Sequence, residues 1–266
     1  MPSALAIAAH PDDIEFVMAG TLLLLRDAGW TIHCFNLSNG NMGSTVMTAA
    51  QTARTRRSEA KAAAKLMGAE WHAPICNDLA IFYTEKNIRR VCAIVREARP
   101  AVVLTHALHD YMEDHMITAR LAVTAAFVRG VPNYRSVPSR KPCLDPCVIY
   151  HAMPHGQRTP TRRRAFPEAF VDTGAVQPRK MAALACHASQ KEWLDKTQGM
   201  DSYLRTMDDF SRALGRQTRG FAHAEGWVRH LHYGFGEEAD DPLRDALGKK
   251  YRVNAAFVRA NERGDA

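Results

Sequence analysis

Ala4-Leu5-Ala6-Ile7-Ala8-Ala9-His10-Pro11-Asp12-Asp13 decides the fold. An unbroken apolar run of strand length leads straight into an imidazole and two carboxylates. A run with no polar alternation reads as a strand buried on both faces, the kind found in parallel sheets. Pro11 keeps the preceding residue out of the helical region. His10 therefore stays extended at the strand end while the chain turns, which brings Asp12 and Asp13 back to the same opening. Imidazole and carboxylate together are ligands for a borderline divalent cation.

Outward from this stretch, short apolar runs alternate with helical patterns over the first 150 residues. The sequence predicts strands at Ala4–Ala9, Thr31–Leu37, Glu70–Ile75, Ala101–Thr105 and Pro146–His151. Helices are expected at Ala19–Ala28, Thr48–Met67, Glu85–Ala98 and Asp114–Arg129. Gly29, Gly68 and Gly130 each follow a helical pattern, where a left-handed cap residue is expected. This alternation predicts an α/β, Rossmann-like, three-layer fold with a mostly parallel sheet and helices on both faces. In the usual doubly wound order, strands 1 and 4 are neighbours and ligands bind beyond their carboxyl ends. The fourth predicted strand runs into Asp110-Tyr111-Met112-Glu113-Asp114-His115, so one metal site built from both strand ends is expected. Met153–Glu168 reads as a surface loop, Ala169–Asp172 as a short strand, and Val176–Ser189 and Thr197–Leu214 as helices. The tail after Gly234 is polar and is expected to wrap or fray.

The 266 residues are 46% hydrophobic and 24% charged, ordinary values for a chain with a substantial core. No run approaches the roughly 18 apolar residues that span a bilayer. The amino end has no basic segment of the secretory type, so a cytoplasmic protein with no membrane partner is expected. Six cysteines fall mostly within apolar runs and lack zinc-ribbon spacing, so reduced thiols are expected. The net charge of +7 includes Arg54-Arg56-Arg57, Arg162-Arg163-Arg164 and Lys249-Lys250-Arg252. No interleaved aromatics or helix-turn-helix pattern accompany these runs, so nucleic acid is not expected as a partner. Solvated surface accounts for most of them, and an anionic or polyhydroxylated substrate for one or two.

His10-Pro11-Asp12-Asp13, followed by Gly20-Thr21 and a leucine-rich helix, resembles the opening motif of the LmbE-like (PIG-L) zinc-dependent N-deacetylases. Ser38-Asn39-Gly40, Arg56-x-x-Glu59-Ala60, Asp114-His115, Asp172-Thr173, Lys180 and His187-x-Ser189-Gln190 extend the resemblance to about residue 190. It implies a single domain over residues 1–266, with about 153–266 serving as a lid or appendage. It also implies that His10, Asp13 and His115 ligate zinc and that Asp12 is the general base. Sequence alone would not say which aspartate binds and which moves the proton. Two His and one carboxylate also suit Fe(II). The implied substrate is a small N-acetylated sugar or glucosaminyl conjugate, and a homo-oligomer is left open.

One position departs from the family pattern. Many members have a histidine three residues before the last motif histidine, and here that residue is Met112, which donates no hydrogen bond. His109, Tyr111 and His155 are candidates to stand in, His155 first. Arg56 is expected to grip substrate hydroxyls, or else to pair with Glu59 or Glu70. Asp78 is expected to contact a sugar hydroxyl or to be an ordinary turn residue. Asp114 is read as a residue orienting a ligand or the base, or as a helix N-cap. Other readings are an amidase for larger acyl or thiol-conjugate amides, and a noncatalytic metal- or nucleotide-binding module. Against nucleotide binding, the first turn has two carboxylates where a phosphate cradle has glycines.

Overall fold

The computed structural model describes residues 1–191 and 203–263. The strands are β1 (Ser3–Ala8), β2 (Thr31–Asn36), β3 (Glu70–His72), β4 (Val102–Thr105), β5 (Val148–Ala152), β6 (Ala169–Asp172), β7 (Ala224–Arg229) and β8 (Tyr251–Val253). The described helices are α1 (Asp13–Val17), α2 (Ala19–Asp27), α3 (Ala49–Met67), α4 (Glu85–Ala98), α5 (Glu113–Phe127), α6 (Gln177–Ala185), α7 (Tyr203–Arg216), α8 (Pro242–Leu247) and α9 (Ala255–Arg263). All eight strands form one sheet in the order β3-β2-β1-β4-β5-β7-β6-β8. The five from β3 to β5 are parallel, whereas β7, β6 and β8 pair antiparallel. The sheet is therefore the expected mostly parallel one. Its order reverses between β1 and β4, where Ile7 pairs with Thr105.

Alternation along β1 builds two cores. Ala4, Ala6 and Ala8 face a cluster containing the four leucines Leu22–Leu25 of α2. Leu5 and Ile7 face the other side, against Val91 and Val95 of α4 and Leu121 of α5. Successive strand residues point to opposite faces, so small residues on one side let the bulky helix approach. The α3 helix starts on a capping box formed by Thr48 and Gln51. Gly68 ends it in the left-handed conformation at φ 69°, and Gly29 does the same after α2 at φ 87°.

One expectation is corrected. Gly130 is not a left-handed cap but the last residue of a 3-10 turn, Val128–Gly130, that continues α5. The region after residue 153 supplies β6, β7 and β8 to the same sheet. The polar tail, expected to wrap or fray, packs α8 and β8 against the core through Leu243, Leu247 and Tyr251. The helix expected over 197–214 is described from Tyr203 onward, and its first residues lie outside the described residues. Among the described residues, no helix is long and apolar enough to cross a membrane.

β7 escaped the sequence reading because Glu225 and Gly226 interrupt its apolar pattern. Glu225 is buried and paired with buried Lys180 at 2.7 Å. Its carboxylate also accepts the backbone amides of Gly20 and Thr21 at 2.8 Å. These are first-turn amides of α2, which a helix leaves unpaired. A β-carbon at Gly20 would collide with Thr173 and Glu225, so only glycine admits this approach. The charge in β7 thus fixes where α2 begins, a few residues behind the His-Pro-Asp-Asp turn.

Candidate metal centre

The β1–β4 junction assembles the site. Beyond β1 the chain turns at Asp12, which lies in the left-handed region at φ 108°. The Asp13 amide donates to the His10 carbonyl at 3.2 Å, and Asp13 Oδ2 accepts the His10 amide at 2.7 Å. Beyond β4, α5 opens at Glu113 and points His115 inward from its first turn. Ligand atoms of His10, Asp13 and His115 lie within 4.8 Å of one another, so the structure brings these three expected residues together.

Two further overlapping triads satisfy the same spacing among the described residues: His106-Asp110-His115 and His10-Asp78-Asp114. Ring geometry separates them. His10 Nδ1 is 3.3 Å from Asp13 Oδ2, and His115 Nε2 is 3.5 Å from Asp13 Oδ1. A tetrahedral ion with ~2.1 Å bonds has ligand–ligand edges of about 3.4 Å, so these spacings suit a divalent cation. The remaining nitrogens are backed by acids. His10 Nε2 is 3.0 Å from Asp78 and 3.2 Å from Asp114, and His115 Nδ1 is 3.1 Å from Asp110. A carboxylate behind the outer nitrogen fixes the tautomer of a ligating histidine.

Electrostatics agree. Burial opposes charge on both imidazoles, yet the hydrogen bonds that His10 donates to Asp114, Asp13 and Asp78 hold it well above its usual pKa. Against the same burial, Asp13 and Asp110 raise His115 to about 9. Burial would raise Asp13, but the charges of His115 and His106 and the bond to His10 hold it well below the carboxylate range. Carboxylates that favour a proton on these rings favour a cation in the same place.

Asp12 stands apart. Burial raises its pKa against the opposing pull of Arg56. The Tyr203 hydroxyl donates to its Oδ2 at 2.7 Å, and Arg56 Nη2 lies 3.4 Å from its Oδ1. Arg56 itself is 3% exposed and donates to the carbonyls of Pro11 and Gly40. It makes no pair with Glu59, which instead accepts from Ser189. Asp114 is not the α5 N-cap, a position held by Met112. It bonds His10 and accepts the amide of Leu79 at 2.9 Å. Leu79 stands at φ 58°, a strained conformation for a leucine.

These groups open into a cavity of about 260 Å³, which Arg56, Asp78 and His155 also line. Phe16, Met42, Tyr111, Met112 and Met153 supply apolar wall. His155 packs against Phe16 and Phe210 with ring centroids 5.2 Å away in each case. Its amide donates to Asp110 Oδ2 at 3.3 Å, and burial lowers its pKa, which favours the neutral ring. Its ring nitrogens carry no hydrogen bond among the described residues.

Sequence reasoning missed His106 and Tyr203 and gave Asp110 no role. His106 stacks on His115 at 4.1 Å with rings 7° apart and accepts the Ala9 amide at Nε2. Its signal was present, since it follows the apolar run of β4 as His10 follows that of β1. Tyr203 comes from α7, 191 residues away from Asp12, and no local pattern marks it.

The protein is thus of the α/β class, with a Rossmann-like sheet and, at its switch point, a buried His/Asp cluster that could hold a metal. The family profile described as GlcNAc-PI de-N-acetylase (PIG-L) matches residues 5–126. A 4-oxalmesaconate hydratase of Pseudomonas putida is 30% identical over 197 residues, 71% of this chain and 74% of its own. A diacetylchitobiose deacetylase of Thermococcus kodakarensis is 28% identical over 229 residues, 84% of this chain and 80% of its own. The chain belongs to the PIG-L (LmbE-like) family. Two solved structures share its fold. The hydratase GalB of P. putida has a TM-score of 0.73 at 24% identity, over 91% of this chain and 99% of its own. The N,N'-diacetylchitobiose deacetylase of Pyrococcus horikoshii has a TM-score of 0.72 at 21% identity, over 91% and 88%.

Proposed function

We propose that this protein is a zinc-dependent N-deacetylase acting on a small N-acetylated amino sugar or glucosaminyl conjugate. The observation that supports this reading is the different placement of two adjacent aspartates. Asp13 lies 3.3 Å from His10 and 3.5 Å from His115, whereas Asp12 bonds Tyr203 and lines the same cavity. His10, Asp13 and His115 would hold the metal. Zinc, when bound, supplies a Lewis acid for the amide carbonyl and makes water acidic enough to attack near neutral pH. Fe(II) suits the same donors.

Asp12 accepts the proton of the attacking water and returns it to the departing amine, which leaves as the C–N bond breaks. Tyr203 occupies its Oδ2, leaving Oδ1 as the proton-carrying atom, with Arg56 beside it. His155, neutral and unbonded at its ring, takes the role for which Met112 has no donor, hydrogen-bonding the carbonyl oxygen. Arg56 is a positioning residue for the Asp12 turn, with its guanidinium already engaged by backbone carbonyls. Asp78 and Asp114 orient His10. Six unpaired cysteines fit a cytoplasmic setting.

The test is acetate release by zinc-loaded protein from a panel of N-acetylglucosaminyl compounds. Release that depends on metal and on Asp12 is expected. Metal-loaded protein that frees no acetate across the panel would overturn the reading. A second reading rests on the hydratase relative at 30% identity: addition of water to an unsaturated carboxylic acid at the same centre. Loss of the conjugated ultraviolet absorbance of such an acid, without acetate release, would favour it.

A further inference from the structure

The segment Met153–Pro167 holds four arginines and no Asp or Glu. It leaves the carboxyl end of β5, on the side of the sheet where the cavity opens, and His155 near its start lines that cavity. Arg158, Arg162, Arg163 and Arg164 are all exposed. None has a carboxylate partner among the described residues, whereas Arg99, Arg140, Arg212 and Arg229 each pair with one.

The loop is built rather than loose. Arg158 and Arg164 form an antiparallel bridge, and the Thr159 amide donates to the Arg163 carbonyl at 2.8 Å. The Arg162 amide donates back to Thr159 at 2.9 Å. At its root, Gln157 Nε2 donates to the carbonyl of Phe210 at 2.9 Å, and Phe210 packs on His155. Arg158 is three residues from His155, at most about 10 Å along the backbone, and its Nη1 donates to the Arg162 carbonyl at 3.0 Å, which ties it into the hairpin beside the cavity. Four like charges held together without a counter-charge repel one another, and a fixed array of guanidinium forks matches phosphate or carboxylate oxygens.

We propose that the arginine hairpin 158–164 binds an anionic substituent, a phosphate or a carboxylate, on the substrate whose amide sits at the metal centre. The inference rests on the deacetylase reading for the placement of the amide, but the hairpin's affinity for an anion is measurable without turnover. The substrate's own anion is favoured over a nucleic acid or a membrane surface because the hairpin is rooted in the cavity wall.

The probes are N-acetylglucosamine 1-phosphate and the uncharged methyl N-acetylglucosaminide, with zinc-loaded full-length protein. In the wild type, kcat/KM favours the phosphate probe by about tenfold at low salt, and the preference collapses near 0.5 M salt, where screening is strong. Substituting Arg158, Arg162, Arg163 and Arg164 by Gln brings the ratio close to one. By calorimetry the same variant raises the Kd of the phosphate probe about tenfold, with an unchanged thermal midpoint as the check on folding. Should the fourfold variant not fold, Arg162→Gln with Arg163→Gln at the tip gives a smaller shift in the same direction.

A Kd within twofold of wild type would overturn the proposal. It would equally be overturned if the variant lost retention on heparin or anionic vesicles while the probe Kd held. If no acetate is released from either probe but the Kd shift is found, the deacetylase reading fails and the anion site stands. Competition by inorganic phosphate as strong as by the sugar phosphate would also overturn it, because a free anion site owes nothing to the substrate.

Discussion

Asp12 holds a left-handed backbone at φ 108°, which for a residue with a β-carbon costs about 1–2 kcal/mol. The surroundings over-determine it. Arg56 bonds the carbonyl before it, Tyr203 holds its carboxylate, and the Phe16 amide bonds its carbonyl. Asp12→Asn keeps the shape and removes the proton acceptor, so kcat should fall by about 10²–10⁴-fold with zinc content unchanged. Parallel metal analysis and acetate assays check this, and undiminished turnover would exclude Asp12 as the base. Tyr203→Phe removes only the donor to Oδ2 and should lower kcat by roughly tenfold, again with full metal loading. His10, Asp12 and Asp13 were legible because they are contiguous and follow an apolar run. Asp78, Asp110 and His106 were harder to weigh. Asp78 acts on a ring contributed by another segment, and a turn or loop carboxylate such as Asp110 has no local mark that it faces an imidazole.

At the scale of elements, charge replaces apolarity at the points that position the centre. Glu225 of β7, with Lys180 of α6, fixes the first turn of α2 from inside the core. Removing one partner of a buried pair leaves an uncompensated charge, so Glu225→Ala should destabilise by about 3–5 kcal/mol. Urea unfolding measures the shift, and a change under about 1 kcal/mol would mean that water replaces the carboxylate there. β1 and β4 were legible because they are almost wholly apolar; β7 was not, because its burial depends on a lysine 45 residues away. β5 carries a different device. Its His151 donates from Nδ1 to the His106 carbonyl at 2.8 Å and lies 3.0 Å from His230. Burial lowers its pKa to about 4, against about 6.5 in an unfolded chain. Protons therefore bind the unfolded chain more tightly, and stability falls as pH drops from about 6.5 to about 4, by up to about 3 kcal/mol from this group. His151→Asn keeps a donor for the carbonyl and cannot titrate, so its stability should decline less steeply over that window. Identical slopes in urea midpoints against pH would count against a neutral, buried His151.

For the molecule as a whole, the candidate metal centre would also act as a fastening. It joins the first turn after β1 to the first turn of α5, segments about a hundred residues apart in sequence that meet only because β1 and β4 are neighbours. The unfolded chain does not hold three ligands in that arrangement, so a bound ion stabilises the folded state by RT ln(1 + [L]/Kd). At a thousandfold excess over Kd that is about 4 kcal/mol, enough to move the thermal midpoint by roughly ten degrees in a chain of this size. Zinc added to chelator-treated protein should therefore raise the midpoint progressively in scanning calorimetry. His115→Ala should abolish the rise, because two ligands on one turn no longer reach across to α5. Asp12→Asn should keep it in full if, as proposed, that carboxylate moves protons and is not a ligand. A zinc-dependent rise that survived loss of His115 would place the ion elsewhere, and the division between the two neighbouring aspartates would fail with it.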